Sequence, residues 1–407
     1  MPKIPGVLIV GGGAVGLMTG LKLAQEGVPV TILEAESKLV EEYRASTFHP
    51  PTIEMLDKVG VAEELAAKAL IADKFQLRDR HSGLIAEFDL AVLSKDTRYP
   101  YRLQIEQYAL SLILYERLSI LPNVQILFNH SVINLTKNDG MISVDVKTPT
   151  GIETMEAAYV VGADGARSIV RSKSSISFEG MTYPERYFVT MTTFDFREVM
   201  PDLAAVNYVS DPKEWFVLLR SPGLWRVTFP TNPEETIYDT DTDPDILESI
   251  AQELYQKVHR TGSPYPITYK SMYRVHQRIA SNYRNGNVFL AGDAAHVNNP
   301  LGGMGLNGGL QDAFFLGSAI AANWNKTHGE NILDHYAVER RKIAINFIQA
   351  QTAQNEENMR QRDPVIRADK QREMKKIAAD KQLSREYLLR TSMILSIKSM
   401  VALPDGL

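Results

Sequence analysis

A chain of 407 residues, 44% of them hydrophobic and 23% charged, can form two or three domains and has the composition of an ordinary globular protein. Its net charge of −5 and its lack of a long Lys/Arg run exclude the basic patch typical of nucleic-acid-binding proteins, so small molecules are the expected partners. The absence of cysteine excludes disulfides, thiolate catalysis and cysteine-ligated metals.

Metal sites and membrane spans lack their sequence signals. The eight histidines show neither the HExxH nor the H-x₃-H spacing of metal ligands, so no bound metal is expected. Glycines interrupt the apolar N-terminal run soon after Gly6, and no stretch approaches the roughly 18 to 20 apolar residues of a membrane span. We therefore expect a soluble, cytoplasmic protein without a membrane partner, either a monomer or a homodimer.

The N-terminal segment contains the first candidate site. Val7 to Val10 form an apolar run typical of a buried parallel strand. Gly11, Gly13 and Gly16 then give the pattern G-x-G-x-x-G before a helical stretch from Leu17 to Glu26. The first glycine allows a tight turn, the second lets the backbone approach a pyrophosphate, and the third lets the helix pack closely on the strand.

The residues after these glycines complete a dinucleotide-binding pattern. Ala14 and Val15 lie at the helix start, whose N-terminus would face the phosphate charge. A second apolar run, Pro29 to Leu33, ends at Glu34-Ala35, where a carboxylate can accept hydrogen bonds from ribose hydroxyls. Because an acid at this position disfavours a 2′-phosphate, the expected ligand is FAD or NAD rather than NADP.

The middle of the chain is predicted to consist mainly of strands. Residues 123–161 alternate in polarity and contain two turn signals, which predicts a β-meander. Short aromatic and β-branched runs predict an antiparallel sheet, with strands at 186–196, 204–210, 214–220 and 224–229. A polar loop at 231–245 leads into a predicted helix at 244–260, and helical periodicity recurs over 334–400.

Aromatic residues of this region are candidates for a substrate pocket. Tyr208, Trp215 and Trp225 would line it together with Tyr183, although aromatic strand residues are more often part of a hydrophobic core. Arg226 would either join the pocket or be a surface charge.

Two further turns follow apolar strands. Ala158 to Ala163 run into Asp164-Gly165, an Asp-Gly turn before a helix start. Another strand-like run ends at Gly292-Asp293, and a glycine-rich segment then leads into a helical run from Leu306 to Ala322.

These three segments, in this order and spacing, resemble the fingerprints of the single-component (group A) FAD-dependent aromatic hydroxylases, the family of para-hydroxybenzoate hydroxylase and 3-(3-hydroxyphenyl)propionate hydroxylase. The resemblance implies an α/β fold: a Rossmann-like FAD-binding domain of the glutathione reductase type, an inserted antiparallel β-sheet substrate domain, and C-terminal helices. The FAD-binding domain would be discontinuous (1–75, 100–175 and 276–335), with the substrate domain at 76–99 and 176–275 and the C-terminal helical segment at 336–407.

The same resemblance implies roles for individual residues. Asp293, after Gly292, would bond the ribityl chain of FAD, and Asp164 would lie near the pyrophosphate. Arg44 and Gln104 would also approach the FAD. The flavin ring would lie against a segment in which glycine avoids side-chain collisions and a helix N-terminus favours the anionic reduced flavin, formed by Pro300, Gly302, Gly303, Gly305, Leu306 and Asn307.

Two positions in this segment depart from the family pattern. The family often has Pro-Pro where this chain has Asn299-Pro300, and often a polar residue where it has Met304. Because both positions would lie near the flavin and the substrate, the identity of the substrate stays open.

The implied reaction uses resident FAD, NADH or NADPH as a transient reductant, and O₂, which forms a C4a-hydroperoxide that hydroxylates an aromatic or heteroaromatic small molecule. The same fold also hosts epoxidases, ring-opening oxygenases, reductases and non-enzymatic GDP-dissociation inhibitors, which remain alternatives. No catalytic base is assigned. His296 lies near the pocket and is expected to form a structural hydrogen bond, and His49 to have a surface or packing role.

Overall fold

The computed structural model describes residues 6–400 apart from 42, 44, 139 and 232–242. Arg44 and most of the predicted loop at 231–245 therefore lie outside the described residues. Within the described ranges the strands form four sheets, and none of the helices is long and apolar enough to cross a membrane.

The strands, numbered in chain order, are β1 (Val7–Val10), β2 (Val30–Leu33), β3 (Thr47–Phe48), β4 (Leu70–Ala72), β5 (Lys74–Asp79), β6 (Gly83–Asp89), β7 (Arg102–Gln104), β8 (Val124–Leu127), β9 (Ser131–Asn138), β10 (Met141–Thr148), β11 (Gly151–Ala157), β12 (Tyr159–Gly162), β13 (Phe178–Thr192), β14 (Val206–Ser210), β15 (Phe216–Ser221), β16 (Leu224–Pro230), β17 (Ile267–Ala280), β18 (Arg284–Asn285), β19 (Val288–Leu290) and β20 (His296–Val297).

The α-helices are α1 (Ala14–Gln25), α2 (Pro50–Lys58), α3 (Ala62–Lys68), α4 (Gln107–Ser119), α5 (Ile169–Lys173), α6 (Pro244–Val258), α7 (Met304–Trp324), α8 (Asn331–Ile343), α9 (Ala350–Met359), α10 (Pro364–Ala379), α11 (Lys381–Thr391) and α12 (Ile394–Lys398). Short 3₁₀ helices span Leu90–Leu93, Phe196–Glu198 and Gly292–Ala294, and a π-helical turn, Ala344–Gln349, joins α8 to α9.

A six-stranded sheet carries the first site. Its order is β18-β19-β12-β1-β2-β8, parallel except for the β18-β19 pair. All four residues of β1 are buried, as expected for a parallel strand covered on both faces. Helix α1 connects β1 to β2 and packs against α7. Gly317 allows this close approach, because a Cβ there would lie 2.9 Å from the Cβ of Lys22.

An eight-stranded sheet forms the second layer, in the order β20-β17-β13-β16-β15-β14-β5-β6. Its centre is antiparallel, as predicted, but β14 and β5 pair in parallel. This parallel pair was not part of the prediction, because β5 comes from an earlier part of the chain and not from a hairpin. Two three-stranded sheets, β11-β10-β9 and β3-β7-β4, complete the strand layers.

The predicted β-meander is correct only in its centre. Strands β9, β10 and β11 form an antiparallel sheet, whereas β8 and β12 at the ends of 123–161 join the parallel sheet. The apolar run of β12, with three of its four residues buried, suits a covered parallel strand. Two helices also begin earlier than predicted: α1 at Ala14 and α7 at Met304.

The C-terminal helices pack across both layers. Helix α11 lies against β6, where the ring of Tyr387 stacks on that of Phe88 at a centroid distance of 4.6 Å. Helix α10 has no buried residue, as expected from its dense charges. The division into three domains stays a prediction, and β20 joins the eight-stranded sheet from within the segment assigned to FAD binding.

Candidate active site

Two glycines of the N-terminal turn are required by close backbone packing. Gly11 has φ +106°, and a Cβ on it would lie 2.4 Å from the carbonyl oxygen of Ala163. A Cβ on Gly16 would lie 1.9 Å from the carbonyl oxygen of Gly11. At Gly13, by contrast, a Cβ would meet no atom within 4 Å among the described residues. The turn thus leaves open space at the N-terminus of α1, where Gly13 is the N-cap and no side chain caps the helix.

Glu34 directly follows β2 and lies beside this turn. Its carboxylate accepts hydrogen bonds from the backbone N–H of Gly12 at 2.7 Å and of Glu36 at 2.9 Å. These bonds hold the carboxylate over the dinucleotide turn, where the motif expects it, and the neighbouring Ala35 is exposed.

Asp164 forms hydrogen bonds within its own turn. Its carboxylate accepts from the Ser168 hydroxyl at 2.5 Å and from the Val170 backbone N–H at 3.1 Å, so it fixes the start of α5. Burial raises the pKa of Asp164, and these hydrogen bonds oppose the rise. The turn is tied to Gly292–Ala294 by Arg171, which donates to the carbonyl of Ala294 at 2.9 Å.

A cavity of about 630 Å³ joins these turns to the eight-stranded sheet, within the usual size range of ligand pockets. One part of its lining comes from the three turns, including Gly13, Ala14, Val15, Gly165, Ala166 and Asp293. A second part comes from the segment leading into α7, including Pro300, Gly302, Gly303, Gly305 and Leu306. The rest comes largely from the sheet. The cavity therefore brings the three sequence fingerprints together.

The segment before α7 has the conformation that glycine permits. Gly303 is the N-cap of α7 with φ +66°, and a Cβ on it would lie 3.0 Å from the Cβ of Thr47. No side chain caps the helix, so its first N–H groups lack a side-chain acceptor where Gly303, Gly305 and Leu306 line the cavity.

Asn307 fastens this segment to β3 and does not line the cavity. Its amide donates to the carbonyls of Thr47 at 2.8 Å and Gly303 at 2.6 Å, and its Oδ1 accepts from the backbone N–H of His49 at 2.8 Å. The sequence predicts Asn307 as a cofactor contact. Its hydrogen bonds instead hold the start of α7 against β3 and His49.

His49 is fully buried, which supports the packing role and excludes the surface role. Its Nε2 lies 2.8 Å from the Gly302 carbonyl oxygen, so Nε2 must carry the proton. Burial, with help from the charge of Arg102, lowers the pKa of His49 to about 3.

His296 lies behind the cavity, in a buried network. Its Nε2 is 3.0 Å from Oδ2 of Asp312, which also accepts from the backbone N–H of Gly292 at 3.1 Å. Arg340 donates to the other carboxylate oxygen at 2.7 Å. Burial alone would raise the pKa of Asp312, but Arg340 and His296 lower it. The structural hydrogen bond predicted for His296 is present, and Asp312 and Arg340 were not foreseen.

Gln104 is buried beside the same segment. Its Oε1 accepts from the Thr47 hydroxyl at 3.1 Å, while its Nε2 has no hydrogen-bond partner among the described atoms. Gln104 does not itself line the cavity, but its partner Thr47 does, so the buried amide without a partner lies directly behind the cavity wall.

The sheet contributes a group of cavity-lining residues that we call the sheet chamber: Val189, Tyr208, Val217, Leu219, Arg226, Thr228, Tyr269, Ser271 and Tyr273. Strand register explains this lining. Val189 lies opposite Ser271 and Thr228, and Val217 lies opposite Thr228 and Tyr208, so these five residues form one row across five strands. Because side chains alternate along a strand, the whole row faces the cavity.

The two tryptophan candidates are wrong as chamber residues. Trp225 precedes Arg226 on β16 and points to the opposite face, where its Nε1 donates to Asp195 at 3.0 Å. Trp215 directly precedes β15. It packs edge-on against Tyr187, with ring centroids 5.3 Å apart. Tyr208, in contrast, lines the cavity as predicted.

Arg226 is buried and lines the chamber, so the surface-charge interpretation is wrong. Its Nη2 donates to Oε2 of Glu106 at 2.5 Å. Glu106, the residue before α4, was not foreseen in the sequence because nothing in its local pattern marks it as buried.

Together these features fit an FAD. The open space at Gly13 and the uncapped start of α1 suit a pyrophosphate, and the Glu34 carboxylate suits the adenosine ribose. The uncapped start of α7, whose Gly303, Gly305 and Leu306 line the cavity, suits a flavin ring. Fold and site thus define a flavoprotein with a Rossmann-type FAD-binding domain.

The chain belongs to the FAD binding domain family, whose model matches residues 5–351. Over 395 residues it is 35% identical to para-nitrophenol 4-monooxygenase of Pseudomonas sp. (strain WBC-3), covering 96% of each chain. It is 34% identical over 359 residues to 6-hydroxy-3-succinoylpyridine 3-monooxygenase of Pseudomonas putida, covering 88% of this chain and 90% of that one. The crystal structure of p-nitrophenol 4-monooxygenase from Pseudomonas putida DLL-E4 matches with a TM-score of 0.90 and 36% identity, over 96% and 98% of the two chains.

These relatives are group A aromatic hydroxylases, as the resemblance implied. The chain is an FAD-dependent monooxygenase that acts on an aromatic substrate. The enzyme prediction is thereby favoured over the binding-protein alternative.

Proposed function

We propose that the enzyme uses NADH or NADPH and O₂ to hydroxylate a one-ring phenol or hydroxypyridine in the sheet chamber. The observation that best supports this proposal is the cavity that joins the dinucleotide turn to the chamber. A cofactor extended along this cavity would bring its reactive ring to the chamber, so that reduction and oxygen transfer occur beside the same bound substrate. The oligomeric state, monomer or homodimer, and the cytoplasmic location stay predictions.

The two relatives that match most of the chain indicate the size of the substrate. One is named for a phenol and the other for a hydroxypyridine, and both substrates contain one aromatic ring. The chamber row of Val189, Thr228, Val217 and Tyr208 offers apolar surface with a few hydroxyls, which suits a flat ring with a polar substituent.

Residues around the cavity would hold the cofactor by position and charge. Asp293 would accept from the ribityl hydroxyls, and the first N–H groups of α7 would stabilise negative charge on the reduced ring. Glu34 would bond the ribose. When bound, FAD supplies electron transfer from the nicotinamide and activation of O₂.

The cavity wall would shield one side of the reacting ring from water. The chamber lies under the eight-stranded sheet, and Pro300 and Leu301 line it from the segment before α7. A dry site favours transfer of oxygen to the ring over loss of reducing equivalents as peroxide.

The test follows NADH and NADPH oxidation by the FAD-loaded enzyme with a panel of phenols and hydroxypyridines. Peroxide and product mass are measured together. We expect one compound to accelerate oxidation and to gain one oxygen atom with little peroxide. The proposal fails if neither nicotinamide reduces the flavin, or if every compound yields peroxide alone.

A further inference from the structure

One ion pair at the wall of the sheet chamber is unusually well buried. Arg226 and Glu106 lie 2.5 Å apart, with 5% and 15% of their side chains exposed. Arg226 occupies the middle of β16, opposite Met191 of β13 and Leu219 of β15, and its side chain lines the chamber. Glu106 is also held by the Ser221 hydroxyl, which donates to its Oε1 at 3.3 Å. Two strands and the start of α4 therefore fix the pair.

Three phenols lie in the cavity lining near the pair. Tyr43 and Tyr269 line the cavity with ring centroids 4.8 Å apart, and the carboxylate of Glu106 is close enough to influence the Tyr43 hydroxyl. Tyr273 lines the chamber within the electrostatic reach of Arg226. Glu41 adds a second carboxylate near Tyr43, where it accepts a hydrogen bond from the phenol, so the described surroundings of the pair are polar and include further negative charge.

Burial makes the balance of charge in this pair important. Burial raises the pKa of the Glu106 carboxyl, and Arg226 opposes that rise. A second carboxylate brought against Arg226 would have to share the guanidinium or displace Glu106. Either arrangement leaves one buried carboxylate without full compensation, which is strongly unfavourable.

Arg274 also lines the cavity, but from a different side. It lies between Tyr273 and Val275 on β17, one residue out of step with Ser271 and Tyr273. Because side chains alternate along a strand, Arg274 leaves the opposite face of the sheet from these chamber residues. Arg274 therefore stands apart from the row of chamber residues, although it is a second cation in the lining of the same cavity.

We propose that the Glu106–Arg226 pair selects the ring substituent: the chamber accepts phenols whose second substituent is polar but uncharged overall, such as a nitro group, and rejects those that carry a carboxylate. The inference rests on the proposed function and deepens it. A nitro group can accept a hydrogen bond from the guanidinium without adding net charge, so the pair stays intact.

Nitro and carboxylate groups have nearly the same planar shape and differ mainly in charge, so 4-nitrophenol and 4-hydroxybenzoate form a matched pair of probes. Their dissociation constants for the FAD-loaded enzyme are measured by titration of the flavin absorbance and by calorimetry. We expect 4-nitrophenol to bind about 100-fold more tightly. Equal affinity, tighter binding of 4-hydroxybenzoate, or no binding of 4-nitrophenol at millimolar concentration would overturn the inference.

The variant Glu106→Gln removes the competing charge and keeps the shape of the side chain. We expect its affinity for 4-hydroxybenzoate to rise at least about tenfold, while its affinity for 4-nitrophenol changes less than about threefold. A purely structural role for Glu106 predicts that both affinities fall together, which would contradict the inference.

Glu87→Gln is the matched control, because Glu87 pairs with Lys74 at 2.9 Å in the same sheet, away from the chamber. It should leave the ratio of affinities unchanged. If Glu106→Gln fails to fold, the wild-type ratio and Glu106→Asp, which keeps the charge and should keep the preference, still test the inference.

Binding and turnover separate the two proposals. If 4-nitrophenol binds selectively but no ring is oxygenated, the proposed function fails and the selectivity stands. If a carboxylated phenol binds tightly and is hydroxylated, the selectivity fails and the proposed function stands.

Discussion

Asp312 of α7 and Arg340 of α8 form an ion pair with Oδ1 and Nε 2.7 Å apart, and neither side chain is exposed to solvent. The second oxygen of Asp312 accepts from the backbone N–H of Gly292 and lies 3.0 Å from Nε2 of His296. One carboxylate therefore connects two helices to the turn that precedes Asp293.

Removing this carboxylate should be costly. Asp312→Ala leaves the Arg340 guanidinium buried without its partner, so we expect the free energy of unfolding to fall by about 3 to 5 kcal/mol. Urea denaturation of the FAD-free protein measures the loss. The control is Asp369→Ala on α10, whose partner Arg372 is 72% exposed, and which should lose less than about 1 kcal/mol. Similar losses in both variants would contradict the prediction.

Gly13→Ala should separate cofactor binding from folding. Gly13 has φ −73°, which alanine adopts readily, and the described residues leave open space around its Cβ position. We expect unchanged stability without FAD but FAD affinity at least about tenfold weaker, because the methyl group occupies the approach of the pyrophosphate.

Gly16→Ala tests the stability of the turn itself, whereas Gly13→Ala tests cofactor binding. Its Cβ would lie 1.9 Å from a backbone oxygen, so the FAD-free protein itself should be destabilised. Thermal unfolding and flavin fluorescence titration measure the two effects, and normal FAD affinity in Gly13→Ala would count against a pyrophosphate at this turn.

Asp293→Ala should weaken retention of FAD. Loss of a charged hydrogen-bond acceptor costs about 1.5 to 3 kcal/mol, equivalent to a roughly 10- to 150-fold weaker affinity. Flavin content after gel filtration is the measurement. Asp293→Asn keeps an amide oxygen and should retain more FAD than Asp293→Ala. Full flavin content in the alanine variant would refute the ribityl assignment.

His49 should make stability depend on pH. Its pKa is about 3 in the folded protein against 6.5 for an ordinary histidine. Between these values the unfolded chain binds a proton that the folded one does not, so stability falls as pH falls, by about 1.4 kcal/mol per pH unit from this group.

His49→Gln removes this proton and can still donate to the Gly302 carbonyl. Urea unfolding between pH 4 and 6 should therefore show a shallower loss of stability than in the wild type, by roughly the same 1.4 kcal/mol per pH unit. Parallel pH profiles for the two proteins would show that His49 does not titrate as inferred.

Local patterns predicted the dinucleotide site well. The glycine spacing, the apolar run of β1 and the acid after β2 act within one strand-turn-helix unit, so their geometry follows from their order in the chain. The same holds for the glycine-rich start of α7, where the conformation of Gly303 requires a residue without a side chain.

Contacts between distant segments could not be predicted. Arg226 pairs with a residue 120 positions earlier, and β16 is buried on both faces, so alternation along the strand does not identify the chamber face. Adjacent residues of a strand point to opposite faces of the sheet, so Arg226 lies in the chamber and Trp225 in the core. Asp312 is an acidic residue within the otherwise apolar run of α7, and this pattern could have predicted a buried charge network.

The cavity lining extends from Gly13 to Gly309, and its parallel sheet pairs β12 with β19 across more than a hundred intervening residues. Such long-range pairings form late and slowly during folding. A flavin that needs all of these segments has no partial site to occupy on a half-folded chain, and it stabilises only the finished one. The yellow colour of this enzyme would thus report that every segment from Gly13 to Gly309 has reached its place in the fold.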